Sequence, residues 1–261
     1  METAESSDGT PIAFERSGNG APLVLVHGGV ADHTRWRPVT AALGDRLTVF
    51  AMDRRGRGGS GDAERYDLAL EADDVAAVVR AAGPGAALLG HSFGAICALE
   101  AAPLVDGLAG LILYEPPFSP EGTALVTPEA GARLGALLRS GDREAFLVGF
   151  YREIIHLPEA EIALLRADPS WPARVAAAHT VVREGDAIAA YAYDPARLRG
   201  LTVPTLLLTG ALTPAAFSAA TYRLGADLPN ARLEMMAGQG HVAMDTASAT
   251  FVRLVTDFLA R

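Results

Sequence analysis

The chain contains no lysine; all 22 basic side chains are arginine. That excludes a lysine nucleophile or Schiff base. Cysteine occurs once, at Cys97. Neither an intrachain disulfide nor a cysteine metal cluster can therefore form, and Cys97 is expected to be a small core residue. No apolar run approaches the roughly 18 residues that cross a bilayer. The stretch from Met1 to Asp8 is polar and acidic, the opposite of a signal peptide, so the expected location is cytoplasmic. Positive charge is in deficit: the net charge is −9, which argues against nucleic acid or an anionic membrane as a partner. The run Asp53-Arg54-Arg55-Gly56-Arg57-Gly58-Gly59-Ser60-Gly61-Asp62 lacks the G-x-x-x-x-G-K-[ST] spacing of a phosphate loop. It reads instead as a structural loop of charged pairs and tight turns. His156 and His179 have no histidine or carboxylate partners at ligand spacing, so no metal is expected.

What is present is the material of one sizeable α/β domain. The 261 residues are half hydrophobic, enough for a core and an insertion. Continuous apolar runs at 23–26, 47–52, 86–89, 108–114 and 203–208 suit strands buried on both faces. A short strand at 11–16 precedes them and a last one at 232–236 follows. Helical patterns fall at 32–43, 68–82, 95–102, 214–228 and 247–259. This alternation predicts a mostly parallel central sheet flanked by helices, with right-handed crossovers. Active groups in such sheets gather at the C-terminal ends of strands. From Phe118 to about Gly200 strand signals stop, and helices are expected at 128–139, 143–156, 158–167, 173–183 and 186–191. The stretch 118–200 therefore reads as a helical cap inserted in a core made of 1–117 and 201–261.

Three short segments carry chemistry. Gly90-His91-Ser92-Phe93-Gly94 lies between an apolar strand and a small-residue helix, the context of a nucleophile elbow. A serine on so sharp a turn sits in strained backbone at the N-terminal end of a helix, where free N–H groups favour an anion. Glycines two before and two after remove side chains that would collide as strand and helix close. His27-Gly28-Gly29 ends an early strand, where the N–H of Gly29 or Val30 can donate to an oxyanion. His241 follows the last strand in Gly238-Gln239-Gly240-His241, with no apolar pattern to bury it as core.

These segments, with 53–60 and the insertion, resemble the α/β-hydrolase fold superfamily over nearly the whole chain. The resemblance implies Ser92 as nucleophile and His241 as base, with the N–H groups of Phe93 and Gly29 forming the oxyanion hole. It implies no cofactor. One departure concerns the triad acid. The usual aspartate position, in the turn after the strand that follows the cap, holds Thr213. Some superfamily members place the acid one strand earlier, and there this chain has Glu115. The expected triad is Ser92, His241 and Glu115, with Asp245, Asp227 and Asp194 as other candidates for the acid.

The expected activity is hydrolysis of a small or medium, mostly uncharged carboxylic ester or lactone through an acyl-enzyme. Haloalkane dehalogenases and epoxide hydrolases of this fold use aspartate where this chain has Ser92. The missing aspartate also leaves room for a lyase, a C–C bond hydrolase or a tailoring enzyme. A binding protein with little turnover is a third possibility, because fold does not dictate function. The expected partner is a small-molecule substrate, with Val30, Trp36, Phe118, Phe150, Tyr151, Trp171 and Val242 as its contacts. Oligomeric state is open.

Overall fold

A computed structural model describes residues 1–122 and 124–260. Thr123, within the expected insertion, and Arg261, the last residue of the expected core, lie outside the described residues. Eight strands form one sheet: β1 (Glu2–Glu5), β2 (Pro11–Gly18), β3 (Ala21–Val26), β4 (Leu47–Met52), β5 (Ala87–His91), β6 (Gly110–Tyr114), β7 (Thr205–Gly210) and β8 (Ala231–Met236). Their spatial order is β1-β2-β4-β3-β5-β6-β7-β8. β2 runs antiparallel to β1 and β4, and every other pairing is parallel. The helices are α1 (Arg37–Gly44), α2 (Leu68–Ala82), α3 (Phe93–Ala101), α4 (Pro128–Arg139), α5 (Arg143–Gly149), α6 (Glu159–Ala167), α7 (Trp171–Ala177), α8 (Thr180–Ala190), α9 (Ala215–Asp227), α10 (Ala243–Thr246) and α11 (Ser248–Leu259). No described helix is long and apolar enough to cross a membrane.

Period-two alternation splits the sheet's side chains between two cores. Val24, Val26, Leu88, Leu111, Leu113 and Leu207 pack on the face covered by α2, α3 and α9. Leu23, Leu25, Leu89, Ile112, Leu206 and Leu208 pack on the other face with Phe251 and Val255 of α11. Helices on both faces bury the central strands throughout, so those strands read as continuous apolar runs. α3 is apolar all round and is buried all round, apart from Glu100.

The strand at the sheet edge, β1, carries alternating polar residues and gave no apolar signal. Its backbone pairs with β2 nonetheless. The expected helix at 173–183 is in fact divided between α7 and α8. At the break His179 Nδ1 bonds the Ala176 carbonyl and Thr180 Oγ1 donates to the Ala177 carbonyl, side-chain bonds that compete with the helical ladder. The expected helix at 143–156 stops early as well, passing from α5 into a π-helical turn, Phe150–Ile154. Likewise the pattern at 32–43 begins as a 3-10 turn, His33–Trp36, before α1. The described residues between β6 and β7 form helices and loops, α4 to α8 among them.

Candidate active site

Parallel pairing sets the ends of β3, β5, β6 and β7 side by side: Val26 faces Gly90, and His91 faces Tyr114, which faces Leu208. After β3, β5 and β6 the chain turns sharply. Val30, Ser92 and Glu115 have φ of 48°, 55° and 50°. Such values are rare for residues with a Cβ and put strain into the backbone at these three turns. Ser92 is fixed by its N–H to the Tyr114 carbonyl at 2.8 Å and by its carbonyl to the Ala95 N–H at 2.7 Å. The two elbow glycines are spatial necessities. A Cβ on Gly90 would lie 2.6 Å from Ala95 Cα, and one on Gly94 would lie 2.5 Å from the Val26 carbonyl. Phe93 heads α3, where N–H groups have no intrahelical acceptor.

Glu115 is fully buried. Its Oε2 lies 2.6 Å from His241 Nδ1. Its Oε1 accepts from the Gly210 N–H at 2.7 Å, the Thr213 hydroxyl at 2.5 Å and the Thr209 hydroxyl at 3.0 Å. Burial alone would raise the carboxyl, but these donors and the His241 ring hold it below its ordinary value. A His241 Nδ1–H donated to the carboxylate leaves Nε2 as the ring's acceptor. The loop carrying His241 is tied down from below. Tyr114 donates its hydroxyl proton to the Gly240 carbonyl and accepts from the Ala243 N–H at 3.2 Å. His91 Nε2 bonds the His241 carbonyl at 2.9 Å. Because a carbonyl can only accept, that nitrogen carries a proton. Burial, together with His241, Arg35 and Arg174, pushes His91 well below its ordinary value and keeps it neutral.

The other carboxylates that sequence offered for this position are engaged elsewhere. Asp245 Oδ2 lies 2.6 Å from the Arg35 guanidinium. Asp227 accepts from Tyr193 and Arg223. Asp194 accepts from the Ala196 N–H.

A cavity of about 40 Å³ is lined by Gly28, Gly29, Ser92, His91 and His241 from the strand ends, room for a few water molecules. Val242 and, from the helical insertion, Phe150, Tyr151, Leu165 and Arg174 complete most of the wall. Of the seven residues expected at the substrate, Phe150, Tyr151 and Val242 line this cavity and the other four do not. Trp36 is buried on the far face of the sheet, its ring 6.5 Å from Phe251, because its 3-10 turn leads into α1 beneath the strands. Phe118 stacks on Tyr193 at 4.8 Å within the core that holds Phe93. Trp171 lies behind Tyr151, and its indole N–H donates to Glu144. Val30 packs with Leu147, Trp171 and Val242 in a cluster shared with the insertion.

The arginine-rich loop after β4 is structural. Arg54 forms a two-pronged pair with Glu71, lies over the Phe93 ring at 4.4 Å and donates to the Gly28 carbonyl at 3.2 Å. Arg55 makes a similar fork to Asp74. Glu184 of α8 reaches down to both Arg54 and Arg57. A Cβ on Gly29 would lie 2.9 Å from the Glu184 carboxylate. His27 Nε2 accepts from the Arg54 N–H, so its Nδ1–H donates to the Gly28 carbonyl, and burial beside Arg54 and Arg57 keeps the ring neutral. These bonds shape the His27-Gly28-Gly29 turn.

Sequence reasoning missed Arg35, His91 and Arg174, which all line the cavity. Arg174 did carry a signal. It sits three residues after Trp171 and beside Val175, on the apolar stripe of α7.

The profile of the Alpha/beta hydrolase family matches residues 23–254. An alpha/beta hydrolase from Sphaerobacter thermophilus superposes with a TM-score of 0.82 at 35% identity, covering 98% of this chain and 99% of that one. The esterase RhEst1 from Rhodococcus sp. ECU1013 superposes with a TM-score of 0.78 at 26% identity, over 99% of this chain and 98% of the other. The 2-(acetamidomethylene)succinate hydrolase of Mesorhizobium japonicum is 29% identical over 95% of this chain and 91% of its own. The chain belongs to the alpha/beta hydrolase family and is an enzyme of that family.

Proposed function

We propose that the protein is a serine hydrolase that cleaves a carboxylic ester or lactone through an acyl-enzyme, with Ser92, His241 and Glu115 as its triad. The observation that carries this reading is the Glu115 carboxylate, 2.6 Å from His241 Nδ1, on a histidine that shares a cavity wall with Ser92. His241 Nε2 takes the Ser92 proton as Oγ attacks the carbonyl carbon. The N–H groups of Phe93 and Gly29 receive the negative charge that develops on the carbonyl oxygen. The imidazolium, stabilised by ionised Glu115, protonates the departing alcohol. Water, deprotonated by His241, then attacks the acyl carbon and releases the acid and Ser92. The insertion acts as a cap, contributing Phe150, Tyr151, Leu165 and Arg174 to the cavity wall.

The absence of aspartate at position 213 lends weight to a lyase, a C–C bond hydrolase or a tailoring enzyme. Thr213 donating to Glu115 supports a displaced acid and a hydrolytic role instead. Relatives named as an esterase and a hydrolase point the same way. The test is turnover of aryl esters and lactones in oxygen-labelled water. One labelled oxygen in the product carboxylate, lost in Ser92→Ala, supports hydrolysis; turnover without label, or surviving Ser92→Ala, contradicts it.

A further inference from the structure

Among the described residues five arginines are buried: Arg35, Arg54, Arg55, Arg57 and Arg174. Four have a carboxylate within ion-pair distance: Arg35 has Asp245, Arg54 has Glu71 and Glu184, Arg55 has Asp8 and Asp74, and Arg57 has Glu184. Arg174 has none among the described residues. It is 5% exposed. Its Nε donates to Ser170 Oγ at 3.0 Å and its Nη1 to the Tyr151 hydroxyl at 3.3 Å, both uncharged oxygens. Asp168 and Asp245 act on it only from beyond contact range. Glu161, pushed up by burial and by Asp245, makes no ion pair with Arg174. An isolated buried guanidinium is costly unless an anion meets it.

Where that anion would come from follows from the lining. Arg174, Tyr151 and Arg35 share the cavity wall with Ser92 and His241. The Arg35 pair is itself imperfect, since neither its Nη2 nor Asp245 Oδ2 makes an aligned hydrogen bond. We propose that Arg174, flanked by Tyr151 and Arg35, is a subsite for a carboxylate carried by the substrate, so that the esters or lactones cleaved bear a second, ionised carboxyl group. This rests on the hydrolase reading above and replaces the expectation of an uncharged substrate. A planar fork of N–H donors matches a carboxylate's two oxygens. A single unpaired cation balances a monoanion, whereas a phosphate dianion would call for more donors.

The test uses 4-nitrophenyl monoesters of succinic, glutaric and adipic acids, each against its methyl-capped diester. Spontaneous hydrolysis is subtracted. For the best acid, wild-type kcat/KM should exceed that of the capped ester by about ten- to a hundredfold. The ratio should fall toward one in Arg174→Gln, chiefly through KM, and be partly kept in Arg174→Lys. A wild-type ratio of one or less overturns the proposal. So does a ratio untouched by Arg174→Gln, or a loss equal for both esters, which marks a structural role. If no ester turns over, the hydrolase reading fails by itself, and calorimetric titration with glutarate and dimethyl glutarate decides the subsite. Binding of glutarate alone, lost in Arg174→Gln, upholds it; absence of binding to the wild type overturns it.

Discussion

Glu115 Oε2 lies 2.6 Å from His241 Nδ1 across the ends of two chain segments 126 residues apart. The neighbouring strand end holds its other oxygen through Gly210, Thr209 and Thr213. A neutral amide at 115 keeps the shape but loses the charge that stabilises imidazolium. Glu115→Gln should lower kcat by roughly a hundred- to ten-thousandfold with KM little changed. Thr213→Val removes one donor of three and should cost about tenfold or less. Steady-state kinetics on one aryl ester compares the two.

The same carboxyl links stability to acid. Its folded value lies below the ordinary 4.5, because hydrogen bonds from His241, Gly210 and Thr213 outweigh burial. Below 4.5 the unfolded chain therefore takes up this proton before the folded one does. The stabilisation is complete above that pH and is lost as pH falls through the folded value. Glu71, held down by Arg54 against its burial, has the same sign. Urea unfolding followed from neutral pH to below 4.5 should show falling stability. The fall should be shallower in Glu115→Gln; an unchanged slope would count against the assignment.

Glu184 ties the helical insertion to the core through Arg54 and Arg57. Glu184→Ala leaves Arg57 with Glu71 at 4.0 Å as its remaining carboxylate. Stranding a buried charge in this way should cost about 3–5 kcal/mol. Chemical denaturation measures it. Adding Arg57→Met to Glu184→Ala should recover much of the loss.

Cys97 sits fully buried on α3. Burial raises its thiol well above the ordinary value, so the reactive thiolate is scarce. The folded protein should resist thiol reagents, and full reaction should appear only in denaturant. Rapid modification of the native protein would contradict this packing.

The central sheet was legible in the sequence because helices cover both its faces, which makes each inner strand an uninterrupted apolar run. Ser92 and His241 were legible because a glycine-flanked turn after a strand leaves a recognisable spacing. Threonine at position 213 is what draws attention to Glu115 as the candidate acid, and the structure places Glu115 within hydrogen-bond reach of both His241 and Thr213. The cavity wall was legible only in part. Whether an aromatic residue of the insertion faces the cavity or the core depends on helix rotation, which a short helix with a mixed pattern does not encode. Trp171 and Tyr151 illustrate this: they touch, yet only Tyr151 lines the cavity. Arg174 carried a local signal, its place on the apolar stripe of α7; Arg35 did not, because burial of its charge is set by tertiary contacts with Asp245 and the strand ends and not by local pattern.

The most direct measurement is the rate of fluorophosphonate labelling followed by intact mass, on wild type, Ser92→Ala and Glu115→Gln. The expected result is one adduct on the wild type, mapped to Ser92, none on Ser92→Ala, and much slower labelling of Glu115→Gln. An unlabelled wild type, or a Glu115→Gln variant that labels at the wild-type rate, would contradict it.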